Sequence, residues 1–178
     1  MKNQILGAAL LATGLLFGQN AIAQKKATPT KNIVETVAAS KDHTTLLAAV
    51  KAADLVETLA SEGPFTVFAP VNSAFAALPE GTVESLLLPE NKEALQGVLT
   101  YHVIAGKFNA KDVLKLIKDN GGEAAVATVA GGMVMLSTKD GKVYVQDENG
   151  NSAEVIAADL NQTNGVIHVI NKVLLPGN

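Results

Sequence analysis

The sequence predicts an α+β domain whose sheet is antiparallel or mixed, and three observations carry that prediction. Apolar residues fall at helical spacing through the early chain: Ile33, Val34 and Val37, then Leu46, Leu47 and Val50, then Leu55, Val56 and Leu59. After Gly121-Gly122 the pattern changes to short strands and turns. There Asp140-Gly141 separates two strand-like runs, a hairpin signal because a type I′ turn needs positive φ at both central residues. Helices first and mostly strands afterwards is the order of an α+β domain, not of alternating βαβ units.

The first 23 residues stand apart from the fold. Lys2 supplies a positive start, Ile5–Phe17 is an apolar run of 13 residues, and Ala21-Ile-Ala23 offers a small-x-small cleavage signal. Residues 1–23 therefore read as a signal peptide, 24–30 as a basic flexible leader with Lys25 and Lys26, and 31–178 as one domain. The expected product is exported, to the periplasm or beyond the cell, and no later run of 18 apolar residues follows. A domain of this size buries about 70% of its unfolded surface.

From Asn32 to Ala60 the spacing gives three helical segments. Asp42 or Thr44 is placed to cap the second, and Asp54-x-x-Glu57 resembles a capping box opening the third. Gly63-Pro64 stops helix, and Phe65–Ala69 reads as a strand buried on both faces. Pro70 ends it, and Asn72 is placed to cap a helix over Ser73–Leu78. Thr82 starts a short helical turn through Leu87, and Pro89 leads into a helix over Glu90–Leu99. Tyr101–Ile104 reads as a strand, and Ala110–Lys118 as an amphipathic helix with Val113, Leu114 and Ile117 inward. Strands follow over Met133–Ser137, Lys142–Gln146, Ala153–Ala157 and Val166–Val173, with turns at Asn149-Gly150-Asn151 and Asn164-Gly165.

Composition removes several function classes. Cysteine is absent, so disulfides, thiolate metal sites and CxxC redox chemistry are excluded. All 14 basic residues are lysine, against 17 acidic residues. A nucleic-acid binder needs a basic face and favours arginine for phosphate and base recognition, and this chain offers neither.

Three segments together carry a family resemblance. They are Phe65-Thr-Val-Phe-Ala-Pro-Val-Asn-Ser-Ala-Phe75, Tyr101-His-Val-Ile-Ala-Gly-Lys-Phe108 and Asn164-Gly-Val-Ile-His-Val-Ile-Asn-Lys-Val-Leu-Leu-Pro176. In that order they resemble the first homology block, the Tyr-His segment and the second homology block of the fasciclin (FAS1) domain. The resemblance implies a wedge of two small β-sheets with α-helices packed along one side. It implies fold-setting roles for Asn72, Asn164, Gly165 and His168. In animal members two stretches serve integrin recognition, and they match Tyr101 and His102 here, and Asp159 and Leu160. The second match carries Leu for Ile, and Asn171 stands where many relatives carry Asp. These four residues are carried over as candidate partner contacts, with Tyr101 as the aromatic anchor.

Catalytic and metal chemistry find little support. The three histidines, His43, His102 and His168, form no HxxxH or HExxH pattern. His102 and His168 are flanked by Val and Ile, which favours buried imidazoles bonded to backbone over ligands. Ser73 follows Asn72 at a helix start, and no GxSxG elbow exists for a hydrolase. Gly121-Gly122 and Gly131-Gly132 lack the phosphate-loop pattern and read as turns. Asp140, Asp147, Glu148 and Asn149 surround hairpin turns, where Asp and Asn are expected on conformational grounds. Met133 and Met135 share one strand face, as core residues or as a pliable apolar contact. No metal site or cofactor is expected.

Two functions follow as expectations. The first is an exported, non-enzymatic adhesion or interaction module whose partner is a protein or polysaccharide of the cell surface or matrix. The alternative is a periplasmic binder of an apolar small molecule, a lipid or carotenoid, which needs an apolar pocket of about 300 Å³ or more.

Overall fold

The computed structural model describes residues 28–177. The expected signal peptide over 1–23 and leader residues 24–27 lie outside the described residues. Three short helices open the domain. Asn32 starts α1 (Ile33–Ala39) with a capping box: its carboxamide accepts from Glu35 N while the Glu35 carboxylate accepts from Asn32 N. A 3-10 turn at Lys41–His43 then leads into α2 (Thr44–Ala52), which neither Asp42 nor Thr44 caps with a side chain; Ser40 caps the 3-10 turn instead.

Asp54 does not open α3 (Val56–Ala60). It closes α2, in the left-handed region at φ 54°. Asp54 N donates to Lys51 O at 3.1 Å and Leu55 N to Val50 O at 3.0 Å, the paired bonds of a Schellman stop. The Asp-x-x-Glu spacing fits either end of a helix, and the left-handed residue decides between them.

After β1 (Phe65–Pro70) come α4 (Asn72–Ala76), α5 (Thr82–Leu86), a 3-10 turn at Pro89–Asn91 and α6 (Lys92–Tyr101). The strand expected over Tyr101–Ile104 is shorter, β2 (Val103–Ala105). The cause is visible in α6, whose buried residues Leu95, Val98, Leu99 and Tyr101 hold helical spacing through Tyr101. In α7 (Ala110–Asp119) the buried stripe is Val113 and Ile117 with half-buried Leu116, and Leu114 is 45% exposed rather than inward. A Schellman stop with Gly121 at φ 82° and Gly122 N bonded to Ile117 O ends this helix.

The remaining strands are β3 (Glu123–Ala127), which the sequence pattern did not mark, β4 (Met133–Lys139), β5 (Lys142–Gln146), β6 (Ser152–Gln162) and β7 (Gly165–Ile170). Asp140 (φ 53°) and Gly141 (φ 77°) form the turn between β4 and β5. Val134 and Leu136 point inward, so Met133 and Met135 lie on the outer face, where Met133 is 43% exposed.

The strand order is β2-β1-β7-β6-β5-β4-β3. Among the described strands the β1–β7 pairing alone is parallel, so the sheet is mixed. The 11-residue β6 belongs to two small sheets. Its start, Ser152–Glu154, pairs with β5, and Val155–Gln162 pairs with β7 through two register shifts between Val155 and Leu160. Beyond β3, Val129 N donates to Val103 O of β2 at 2.8 Å, so the chain nearly closes on itself.

This arrangement makes β1 and β7 a shared wall between two cores. Val67, Ala69, Ile167 and Val169 face the helical core with Ile33, Leu46, Val50 and Leu99. Phe68 and Ile170 face the other core with Tyr101, Val113, Ile117, Leu136 and Val145. Strands with a core on each side are buried at nearly every position, which is why β1 and β7 lack the alternation of β4 and why their polar residues, Thr66 and His168, are buried and hydrogen-bonded.

Candidate partner-binding surface

The four fold-setting candidates sit where separate elements must be tied together. Asn72 is the first residue of α4, and its side chain does not cap that helix. Its carboxamide reaches the start of α2: Oδ1 accepts from Thr45 N (3.1 Å) and Thr44 Oγ1 (3.2 Å), and Nδ2 donates to Lys41 O (2.9 Å). Asn164 makes the matching tie on the opposite side of the helical layer. Its Oδ1 accepts from Ile33 N at 3.1 Å, and Nδ2 donates to Leu59 O and Ser61 O at 2.8 and 2.9 Å. Gly165 follows at the head of β7. A Cβ there would lie 2.0 Å from Phe65 O, so no other residue lets β1 and β7 approach this closely.

His168, in the middle of β7, is buried with its ring 5.8 Å from that of Phe68. Its Nε2 lies 2.7 Å from Phe108 O, and a carbonyl only accepts, so Nε2 carries the proton. Nδ1 is then bare and accepts from Asp159 N at 3.4 Å. His102 holds the other tautomer. Its Nδ1 donates to Val98 O (2.7 Å), and its Nε2 accepts from Leu174 N (2.9 Å). Burial pushes the His102 pKa down to about 4, only partly offset by the Val98 carbonyl. Burial likewise lowers His168 and His43, against the opposing pull of a backbone carbonyl and a nearby aspartate in each case. His43 Nδ1 pairs with Ser40 Oγ at 2.8 Å, and its buried Nε2 closes no hydrogen bond, so the Ala69 backbone favours the charged ring without bonding to it.

Of the four candidate contact residues, the structure removes two from the surface. Tyr101 is fully buried, its hydroxyl donating to Met133 O (2.7 Å) and accepting from Glu148 N (3.2 Å). His102 is 3% exposed and committed at both nitrogens. Flanking Val and Ile signalled that burial for the histidine. The tyrosine carries a polar handle that found its partners inside, so it cannot act as an aromatic anchor.

Asp159 and Leu160 are exposed on the irregular part of β6. Asp159 stands in the left-handed region at φ 59°. Its Oδ1 accepts from Ala110 N at 2.6 Å, placing a carboxylate at the first turn of α7. Leu160 is 40% exposed, and Ile156, at the other register shift of β6, 50%. Beside Asp159 and Leu160 opens a groove of about 560 Å³ between β6, α1 and α7, lined by Thr36, Lys111, Asp112 and Asp159–Gln162. A second groove of about 570 Å³ continues along the chain past Thr163–Gly165 and Lys107. Two mainly apolar cavities of about 20 Å³ each flank the buried His102, one lined by Ile33, Leu46, Val50 and Val103 and the other by Phe75, Leu86, Leu95 and Val173. Such a space holds one water molecule, well short of the volume an apolar carrier needs.

The sequence places Asp147 in a turn, as observed, but does not reveal its burial or its hold on the C-terminal chain. It is buried, and its carboxylate accepts from Asn149 N, Asn151 N and Leu175 N at 2.8–3.1 Å. With Glu148 accepting from Gly177 N and Asn149 donating to Leu175 O and Pro176 O, this turn clamps the C-terminal strand of chain. The Asp-x-Asn-x-Asn spacing was its only signal, and that spacing serves any Asx turn.

Comparison with known proteins places the architecture. The Fasciclin domain family model matches residues 41–176. The chain belongs to the fasciclin domain family. Protein sll1483 of Synechocystis sp. is 58% identical over 144 residues, covering 81% of this chain and 73% of that protein. Human periostin is 31% identical over 150 residues, covering 82% of this chain and 16% of periostin. The FAS1 domain pair of the insect cell adhesion molecule Fasciclin I superposes with a TM-score of 0.74 at 18% identity, over 83% of this chain and 51% of that one. Helices along one side of two sheets joined through β6 are thus the FAS1 fold. In this fasciclin domain no helix among the described residues is long and apolar enough to cross a membrane, and no cluster of three His, Asp or Glu side chains is placed to hold a metal.

Proposed function

We propose that this fasciclin domain is an exported, non-enzymatic interaction module that engages a protein or polysaccharide of the cell surface or matrix through the β6 bulge and its groove. The observation that carries the reading is the contrast between interior and surface. Tyr101, His102 and His168 are each committed to internal bonds, whereas Leu160 stands exposed in the wall of an open groove whose other lining residues are polar or charged. Membership of the fasciclin family and the likeness to a domain pair from a cell adhesion molecule support the same reading. An open groove with an exposed aliphatic side chain in its wall suits a partner docked from outside, and the two apolar cavities beside His102 are too small for a lipid or carotenoid.

The test is capture of envelope proteins and cell-surface polysaccharide on immobilised protein, with Leu160→Ser as the control surface variant. Wild type should retain a partner that Leu160→Ser retains at least about tenfold less, the scale of one lost apolar contact of about 1.4 kcal/mol. Equal retention by both proteins would move the partner surface elsewhere. Retention of nothing from either fraction would remove the reading.

A further inference from the structure

We propose that His168 is a proton-operated pin: while neutral it holds the Asp159–Leu160 bulge in place, and on protonation it releases that bulge, making the groove acid-sensitive. The proposal rests on the reading of the groove as the partner surface and adds its regulation.

The geometry leaves the ring one neutral form. Nε2–H donates to Phe108 O at 2.7 Å, so a second proton can go only to Nδ1. Nδ1 accepts from Asp159 N at 3.4 Å. Protonation turns that acceptor into a donor, sets N–H against N–H and breaks the bond. The residue at the other end is poised to move. Asp159 is a non-glycine residue at φ 59°, a conformation that costs about 1 kcal/mol or more and persists only where its surroundings hold it. Three bonds do so: its amide donates to His168, its carboxylate accepts from Ala110 N, and its carbonyl accepts from Asn161 Nδ2 at 2.9 Å, a contact within the bulge itself. With the first gone, the carboxylate has a competing partner in the new Nδ1–H. Asp159, Leu160 and Asn161 line the groove, so a shift in this bulge changes the wall a partner would meet.

The groups around the ring are few. Phe68 from β1, Ala110 and Val113 from α7, Val143 from β5, and Val155 and Ala158 from β6 surround it, none of them titratable. Among the described residues Asp159 is the charge that acts on it, and it favours the imidazolium. Lys111 and Asp112 of α7 line the outer groove with Asp159 and not the ring cavity. Burial outweighs the Phe108 carbonyl and the aspartate and lowers the pKa, so release falls below the ordinary imidazole range.

The test is a pH titration of the 15N-labelled protein followed by NMR, which needs no partner. The amides of Asp159, Leu160 and Ala110 should shift reversibly with one midpoint, equal to that of the His168 ring and below 6.5, while the rest of the spectrum stays folded. The Leu174 amide, bonded to His102, should move only at lower pH. Asp159→Gly keeps the amide and adopts positive φ freely. In that variant the Leu160 shift should persist with its midpoint displaced downward, because the carboxylate that favours the imidazolium is gone. Amides that titrate only in the carboxylate range near about 4 would overturn the proposal. So would loss of the Leu160 titration in Asp159→Gly, or global unfolding in step with ring protonation. Each of these refutes the pin and leaves the interaction reading to the capture experiment.

Discussion

Acidification from about pH 7.5 to about pH 5 should cost this domain about 2 kcal/mol through His102 alone. The folded domain holds that imidazole neutral, with Nε2 accepting the Leu174 amide and Nδ1 donating to Val98 O. Burial lowers its pKa from the ordinary imidazole value of 6.5 to about 4. The unfolded chain therefore takes up the proton first. Between the two values the unfolded state carries one proton more, so stability rises with pH by about 1.36 kcal/mol per unit. The contribution is complete above about pH 6.5, falls through the window, and is exhausted near pH 4, where it totals about 3 kcal/mol. His43 and His168 are shifted in the same direction, so the observed slope should exceed that of a single proton.

Urea unfolding at a series of pH values from about 7.5 to about 5 measures this directly, since the aspartates and glutamates titrate mostly below that range. His102→Gln is the informative variant. At neutral pH it should cost about 1–3 kcal/mol, because an amide side chain cannot serve both Val98 O and Leu174 N–H at the ring's positions. More tellingly, its stability should depend on pH by close to one proton less than wild type between about pH 6 and pH 5. An identical slope in the two proteins would show that His102 is not held neutral in the fold, and the tautomer assignment would fail with it.

Other consequences are as direct. Gly165→Ala should prevent folding or cost more than about 3 kcal/mol, since its Cβ would overlap Phe65 O; thermal melting near wild type would contradict the close β1–β7 approach. Asn164→Ala should destabilise by about 2–4 kcal/mol in urea titrations through three unpaired backbone groups, and an effect below about 0.5 kcal/mol would remove it from the fold-setting set. Asp147→Ala should loosen the C-terminal chain, seen as faster hydrogen exchange at Leu175 and Gly177 with the core strands still protected; unchanged exchange would dissolve the clamp. Leu160→Ser should leave stability within about 0.5 kcal/mol of wild type, because the side chain is 40% exposed, and a larger loss would make Leu160 a structural residue.

Much of this fold was legible because it is written in periods and punctuation. The Asp140-Gly141 hairpin, the doubly buried Phe65 strand and the Val113/Ile117 stripe each follow from a local rule. The misreadings have a common physical cause, namely that a polar residue's partner is set by tertiary structure. Asn72 next to a helix start looks like that helix's cap, yet its carboxamide serves α2, which lies 27 residues earlier in the chain at Thr45. Asp54 with Glu57 looks like a helix beginning, yet its backbone conformation ends the helix before it. Tyr101 sits beside His102 in an apolar run, and nothing local distinguishes an inward phenol from an outward one. β3 was missed because Glu123-Ala-Ala-Val-Ala127 has little β-propensity and owes its pairing to β4.

The bulge in β6 shows why exposure and availability differ. Asp159 and Leu160 are both on the surface, but the carboxylate of Asp159 already accepts from the first amide of α7, and its own amide is given to His168. A partner that recruited this carboxylate would have to offset the loss of a charge-assisted bond at a helix N-terminus, about 1 kcal/mol or more. Leu160 carries no such debt. Substitutions at Asp159 therefore report on α7 and the bulge as much as on binding, and those at Leu160 report on binding alone. A double-mutant cycle between Leu160→Ser and Asp159→Gly separates the two: additive losses of partner capture mean that the residues act independently, and coupling means that Asp159 acts by setting the shape Leu160 presents.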